Sequence, residues 1–177
     1  MRSLLGHLKS PLPNNLTRTM ASIATLKRLS AKSLSEKILA ERDAAEPSYA
    51  VVDVRDDGKS LLWLVIKSRT CVITSLLTNL SDYIGGHIKG CIHAPSQQLD
   101  IMMPSLLRRL QDKKTVVFHC ALSQQRGPSA ALRYLREKGE SDQEVYVLDR
   151  GFTGWQEKYG TDERLTEGYR KELWENY

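Results

Sequence analysis

The sequence predicts an α/β domain with a central parallel sheet and helices on both faces. Three observations carry that expectation. Short apolar runs of strand length alternate with segments of helical periodicity. The runs are apolar at nearly every position, as strands covered on both faces are. The strongest run passes through a short polar loop straight into a helix, the connection that parallel sheets use. At 177 residues the chain has room for one such domain and some extra.

Ser33–Asp43 (SLSEKILAERD) reads as the first helix, with Ser33 and Glu36 as a capping box and Leu34, Ile38 and Leu39 as its apolar stripe. Tyr49–Val54 (YAVVDV) reads as a buried strand. Cys91–Ala94 is a second short strand, stopped by Pro95. Ile101–Leu110 is a helix with a basic end at Arg108 and Arg109. Thr115–Cys120 (TVVFHC) is the strongest strand. Arg126–Lys138 is a helix closed by Gly139, and Glu144–Leu148 (EVYVL) is a further strand. The expected organisation is a basic, unstructured leader over 1–22, one domain over 23–160 and a helical tail over 161–177. In such sheets ligands sit beyond the carboxyl ends of the strands.

Charge and cysteine content narrow the function. The formal charge is +5, but the six basic residues Arg2, Lys9, Arg18, Lys27, Arg28 and Lys32 lie in the first 35 positions, which hold no acid. The remainder carries 20 basic against 21 acidic residues, close to neutral, a distribution that argues against a nucleic-acid partner. The leader resembles a mitochondrial transit peptide, yet Pro11, Pro13 and Asn14–Asn15 interrupt any amphipathic helix in it. It is read as an extension, with Met20 an alternative start. Three cysteines at these spacings make neither a disulfide framework nor a zinc site. A reducing compartment is expected, cytoplasm or nucleus, with the mitochondrion the alternative if the leader is used. No metal, cofactor or membrane is called for, and a monomer is expected.

The chemistry concentrates in His119-Cys120-Ala121-Leu122-Ser123-Gln124-Gln125-Arg126. A buried strand delivers Cys120 into a loop, Ala121 to Gln125, and a helix begins at Arg126. Loop amides and the helix N-terminus favour an anion, and the arginine fork matches two anion oxygens. The same field is expected to hold Cys120 as the nucleophilic thiolate. Ser123 is positioned by sequence to donate to the sulfur or to a leaving group. His119 is a supporting residue that orients the loop, or else a core histidine satisfied by backbone. Outside this context, a cysteine in a strand is more often a buried structural thiol.

Four ordered motifs resemble the rhodanese superfamily. They are Tyr49-Ala-Val-Val-Asp-Val-Arg55, Asp82-Tyr-Ile-Gly-Gly-His-Ile-Lys-Gly90 with Ile92-His-Ala-Pro95, the Cys120–Arg126 loop, and Gly151-Phe-Thr-Gly-Trp155 as a closing turn. Within that superfamily the chain resembles the branch of cell-division-cycle-type dual-specificity phosphatases and fungal or plant arsenate reductases. The resemblance implies a cysteine-dependent protein phosphatase acting on a phosphorylated protein. The alternative is an arsenate reductase acting on that small oxyanion, with glutathione or glutaredoxin as reductant. A third reading is a thiosulfate sulfurtransferase or a catalytically silent module. Sulfurtransferase loops of the superfamily are usually one residue shorter, so five residues between Cys120 and Arg126 favour a tetrahedral oxyanion. The resemblance also implies that Asp53, Arg55 and His87 brace the loops around the site. Val54 stands where the cell-cycle phosphatases commonly carry a second cysteine, and no aspartate stands out as a general acid.

Gly58–Ser81 (GKSLLWLVIKSRTCVITSLLTNLS) breaks the pattern. It holds no acid and two apolar runs, and Lys67 and Arg69 divide it into pieces shorter than the ~20 apolar residues of a membrane span. Removing it joins Asp57 to Asp82 and restores the family spacing. Its residues permit a GTAAG donor at Gly58-Lys59, a CTAAC branch at Leu77-Thr78 and an AG acceptor at Ser81-Asp82. The segment is therefore expected to be translated intron, against the rival of a genuine inserted hairpin. Transcript sequencing should find mature messages without it; its retention in every message would contradict the expectation.

Overall fold

The computed structural model describes residues 22–56 and 83–175. The leader up to residue 21, the apolar stretch 58–81 with Cys71, and residues 176–177 lie outside the described residues. In chain order the strands among the described residues are β1 (Lys27–Leu29), β2 (Tyr49–Asp53), β3 (His87–Ile88), β4 (Ile92–His93), β5 (Thr115–His119), β6 (Glu144–Leu148) and β7 (Thr166–Glu167). The α-helices among the described residues are α1 (Ala31–Ala40), α2 (Leu99–Leu110), α3 (Arg126–Glu137) and α4 (Gly151–Tyr159).

Five strands form one sheet in the order β1-β6-β5-β2-β4, and every neighbouring pair is parallel. The expected α/β architecture follows from alternation along the strands. Val52, Val116, Phe118, Val145 and Val147 pack on one face with Leu99, Met103, Leu106 and Leu110 of α2 and Ala130, Ala131 and Tyr134 of α3. Val51, Val117 and Leu148 pack on the other face with Ala31, Leu34 and Ile38 of α1 and with Phe152 and Trp155 of α4. Each of the larger buried side chains contributes roughly 1.5–3 kcal/mol of transfer free energy, which is what makes both faces of β5 dry.

The local details depart from the sequence expectations in several places. Helix α1 begins at Ala31, not Ser33, and its cap is Ser30, whose Oγ accepts from Ser33 N at 3.0 Å. The reason is the burial stripe, which runs through Ala31, Leu34 and Ile38 and leaves Leu39 on the outside. Strand β1 lies inside the expected domain but is not among the strands the sequence marks. It is too short for periodicity to show, and Lys27 is accommodated at the edge by an ion pair to Glu144 at 3.0 Å.

Among its described residues, 161–175, the tail is not an α-helix, contrary to the expectation for 161–177. Its strand β7 pairs antiparallel with β3, Ile88 opposite Thr166, and only Lys171–Leu173 forms a single 3₁₀ turn. Gly168, at φ 62, is in the left-handed region, which interrupts a continuous right-handed helix. The apolar residues of the tail are spent on packing: Leu165 is fully buried, and the Trp174 ring lies 5.3 Å from Phe152. Trp174 Nε1 donates to the carbonyl of Gly85 at 2.8 Å, and a Cβ at Gly85 would meet that ring nitrogen at 2.8 Å.

Connectivity places the site. The chain passes from β2 outward to β4, returns to β5 on the opposite side of β2, and then moves outward again to β6. The direction of travel therefore reverses between β2 and β5. A crevice opens beyond the carboxyl ends of two such strands. The residues delivered there are Asp53 to Asp56 from β2 and His119 to Gln125 from β5.

Candidate active site

Strands β2 and β5 pair over their whole length, ending with Asp53 opposite His119, and Val54 N donates to the His119 carbonyl at 2.9 Å. Cys120 is the next residue, 3% exposed. The chain must then turn sharply to enter α3. It does so through Ser123, whose φ of 53 is rare for a residue with a side chain.

The loop's polarity is set by what holds its carbonyls. Phe152 N donates to Cys120 O and Thr153 N to Ala121 O, both at 2.9 Å. These are first-turn amides of α4, which a helix cannot satisfy internally. The Nδ1 of His119 also lies 3.3 Å from Cys120 O. Ser129 N takes Gln125 O at 2.9 Å, and the Arg28 guanidinium reaches Ser123 O at 3.5 Å. The amides behave differently: among the described residues, none from Ala121 to Gln125 donates to a protein acceptor. The carbonyls of Cys120, Ala121, Ser123 and Gln125 are tied down, and the N–H groups are left for a ligand.

Two glycines permit this packing. A Cβ at Gly151, which has φ 57, would sit 2.3 Å from Ala121 O and 2.4 Å from Cys120 O. A Cβ at Gly127, in the first turn of α3, would lie 3.3 Å from Cys120 N. The segment Gly151–Trp155 is thus not the closing turn the sequence suggested but the helix start that grips the loop.

Arg126 opens α3 and is about a third exposed, its Nη1 donating to Asp56 Oδ2 at 3.0 Å. Asp56 also accepts from Ser96 Oγ at 2.9 and 3.1 Å and from Gln97 N at 3.3 Å. Sequence reasoning missed Asp56. It lies just past Asp53-Val-Arg55, three residues beyond the end of β2, and only the adjacency of β2 and β5 brings it to Arg126.

Beneath the loop lies a fully buried ionic layer. Arg55 Nη2 contacts Asp53 Oδ2 at 2.6 Å, Arg55 Nε lies 3.0 and 2.9 Å from the two oxygens, and Nη2 also donates to Gly86 O at 2.7 Å. The guanidinium stacks over Phe152 at 4.0 Å and Tyr83 at 5.1 Å. His119 Nε2 is 3.7 Å from Asp53 Oδ2. Burial alone would raise the Asp53 carboxyl, but His119 and Arg55 outweigh it and hold it below the usual carboxylate range.

Of the other sequence-predicted residues, Ala121 and Ser123 are buried, while Leu122, Gln124 and Gln125 are exposed along the loop. Ser123 Oγ is buried without a hydrogen-bond partner among the described residues. His87 stands one step away: its ring pairs with Glu167 at 3.2 Å and stacks on Tyr83, and the carbonyl before it serves Arg55. Val54 is fully buried. The Cys91 thiol is pushed up to about 12 by burial and by Asp53, which makes it a poor nucleophile.

Residues 35–158 match the family described as Rhodanese-like domain. The chain is 44% identical over 108 residues to the CDC25-like phosphatase YCH1 of Saccharomyces cerevisiae, covering 53% of this chain and 72% of that protein. It is 34% identical over 116 residues to Arsenate reductase 2.2 of Oryza sativa subsp. japonica, covering 63% and 72%. Among solved structures it is similar to a yeast protein tyrosine phosphatase of the Rhodanese family, with a TM-score of 0.63, 33% identity, and 84% and 96% of the two chains covered.

The grip of α4 on the loop has a direct test. Gly151→Ala adds an atom where two carbonyls stand and should destabilise the fold by about 2 kcal/mol or more, with loss of activity. Gly139→Ala is the control: it also has positive φ (73) but nothing within 4 Å of its Cβ, so only backbone strain of roughly 1–2 kcal/mol applies. Denaturant unfolding of both variants reads the difference. Equal losses in the two would show that α4 does not clamp the loop.

Proposed function

The chain belongs to the rhodanese-like domain family, and on that premise we propose that it is a cysteine-dependent protein phosphatase of the tyrosine or dual-specificity type. The observation that carries the reading is the Cys120–Arg126 loop, whose amides from Ala121 to Gln125 have no protein acceptor among the described residues. A tetrahedral dianion supplies acceptors for them, with the guanidinium of Arg126 and the N-terminus of α3 adding positive charge.

The reaction proceeds in two displacements. Cys120 Sγ attacks phosphorus as the thiolate, an S–P bond forms, and the P–O bond to the substrate breaks with its electron pair leaving on oxygen. Loop amides and Arg126 hold the three equatorial oxygens as charge redistributes among them. Water then attacks phosphorus, the S–P bond breaks, inorganic phosphate leaves and the thiolate is restored. Ser123 is assigned the hydroxyl that donates to the sulfur or leaving group. His119, Asp53 and Arg55 are assigned the bracing of the strand ends, with His87 supporting from the second sheet.

A second reading, arsenate reduction, is favoured by the 34% identity to the rice arsenate reductase. Its first step is the same: Cys120 attacks arsenic and displaces a hydroxyl group as water. A glutathione or glutaredoxin thiolate then attacks Sγ, a mixed disulfide forms, and arsenic departs as arsenite with the two electrons of the S–As bond. A further thiol reduces the mixed disulfide.

Side-by-side assays separate these readings. The protein should hydrolyse an aryl phosphate slowly, with vanadate and arsenate as competitors and without dependence on added metal or loss to chelator. Alkyl phosphates should be poorer by ~10²–10⁴-fold, the usual contribution of a proton donor to a difficult leaving group. Glutathione consumption in step with arsenate would select the reductase instead. Sulfur transfer from thiosulfate to cyanide without phosphate hydrolysis would overturn both.

A further inference from the structure

Asp56 belongs to the crevice but to no step above, and its contacts are specific. One carboxylate oxygen takes Arg126 Nη1 at 3.0 Å, across the point where the sheet reverses direction. Ser96 Oγ lies 2.9 and 3.1 Å from the two oxygens, and Gln97 N is 3.3 Å from one of them. Those donors are themselves fixed. Ala94 N donates to Asp53 O at 2.8 Å and Ser96 N to Val54 O at 3.2 Å, so the 3₁₀ turn Ser96–Gln98 is stitched to the end of β2. Asp56 is therefore a rigid acceptor, and Arg126 is a long, partly exposed side chain with rotamer freedom to lose.

We propose that Asp56 is the positioning residue for Arg126, holding the guanidinium in the one orientation that meets the equatorial oxygens of the pentacoordinate transition state. This rests on the reading of Cys120–Arg126 as an oxyanion cradle. Taking up Asp56 as an acceptor for Arg126, Ser96 and Gln97 at once is the work of an anchor and not of a proton shuttle. Two opposed effects follow from its negative charge beside the cradle. The charge repels a bound anion at every stage, whereas the orientation of the fork matters most where bond angles at phosphorus change. Removing the charge while keeping the shape should thus spare ground-state anion binding and weaken transition-state binding.

The experiment reads protection of Cys120 from iodoacetamide, a neutral alkylator, in the full-length protein, and so does not depend on which reaction the enzyme performs. Phosphate serves as the ground-state probe and vanadate as the trigonal-bipyramidal one. In Asp56→Asn the concentration of vanadate needed for half-protection should rise about tenfold or more, while that of phosphate stays level or falls. Arg126→Lys should lose protection by both. If Asp56→Asn does not fold, Ser96→Ala loosens the same anchor without touching Arg126 and should shift vanadate alone, by less. Vanadate protection unchanged in Asp56→Asn but lost in Arg126→Lys would overturn the positioning role and leave the cradle standing. Equal weakening of both probes in Asp56→Asn would reduce Asp56 to a general structural contact and also overturn it. Full protection in Arg126→Lys would sink the cradle reading itself.

Discussion

The parallel pairing of β2 with β5, from Tyr49 opposite Thr115 to Asp53 opposite His119, is the constraint on which the rest depends. Side chains in a strand alternate faces, so a slip of one residue would exchange every buried valine between the two helical layers. The apolar residues on both faces of β5 admit only one register with the helices in place. That register brings Asp53 alongside His119 and sets Asp56 and Cys120 at the mouth of one crevice. Sequence neighbours of two strands far apart in the chain become a site because the sheet reverses its direction between them.

From that base, the loop is shaped by backbone groups more than by charged side chains. The first amides of α4 fix two loop carbonyls, the first turn of α3 packs beneath Cys120, and Gly151 and Gly127 are the residues that make room. The strong ion pair of the site, Asp53 with Arg55, is sealed below the loop and is internally balanced. Such a pair is costly to bury and worth keeping only with its hydrogen bonds complete, which the Gly86 carbonyl and the aromatic faces of Phe152 and Tyr83 help to ensure. The tail adds to the same support: Trp174 packs on Phe152 and holds the carbonyl of Gly85, next to the one that serves Arg55.

The long apolar runs were legible in the sequence because burial on both faces leaves an unbroken apolar stretch, as in Thr115–His119 and Tyr49–Asp53. The Cys120–Arg126 loop was legible because the turn between a buried strand and a helix needs polar residues, and Arg126 stands at the helix start. What periodicity cannot show are two- and three-residue strands such as β1, β3 and β7, whose pairing is decided by partners distant in the chain. The misread cap of α1 has a similar cause, since only the core shows that Ala31 is inside. Asp56 was hidden for a different reason. Nothing in its neighbourhood marks it until β2 and β5 are adjacent, and a search for a proton donor does not look for an acceptor that orients an arginine. Likewise the role of Gly151 depends on where its missing Cβ would fall, which is a fact of tertiary packing.

The claim that Cys120 carries a covalent phosphoryl group in this cradle is tested most directly by trapping it. The protein is mixed with an aryl phosphate, quenched in acid within the first turnovers, digested and mapped by mass spectrometry. The expected result is one phosphoryl group on the peptide containing Cys120, absent when Cys120→Ala is treated in the same way and absent when vanadate is present. Hydrolysis that continues in Cys120→Ala, or turnover of the native protein with the label on another residue, would contradict the assignment of the nucleophile and the mechanism built on it.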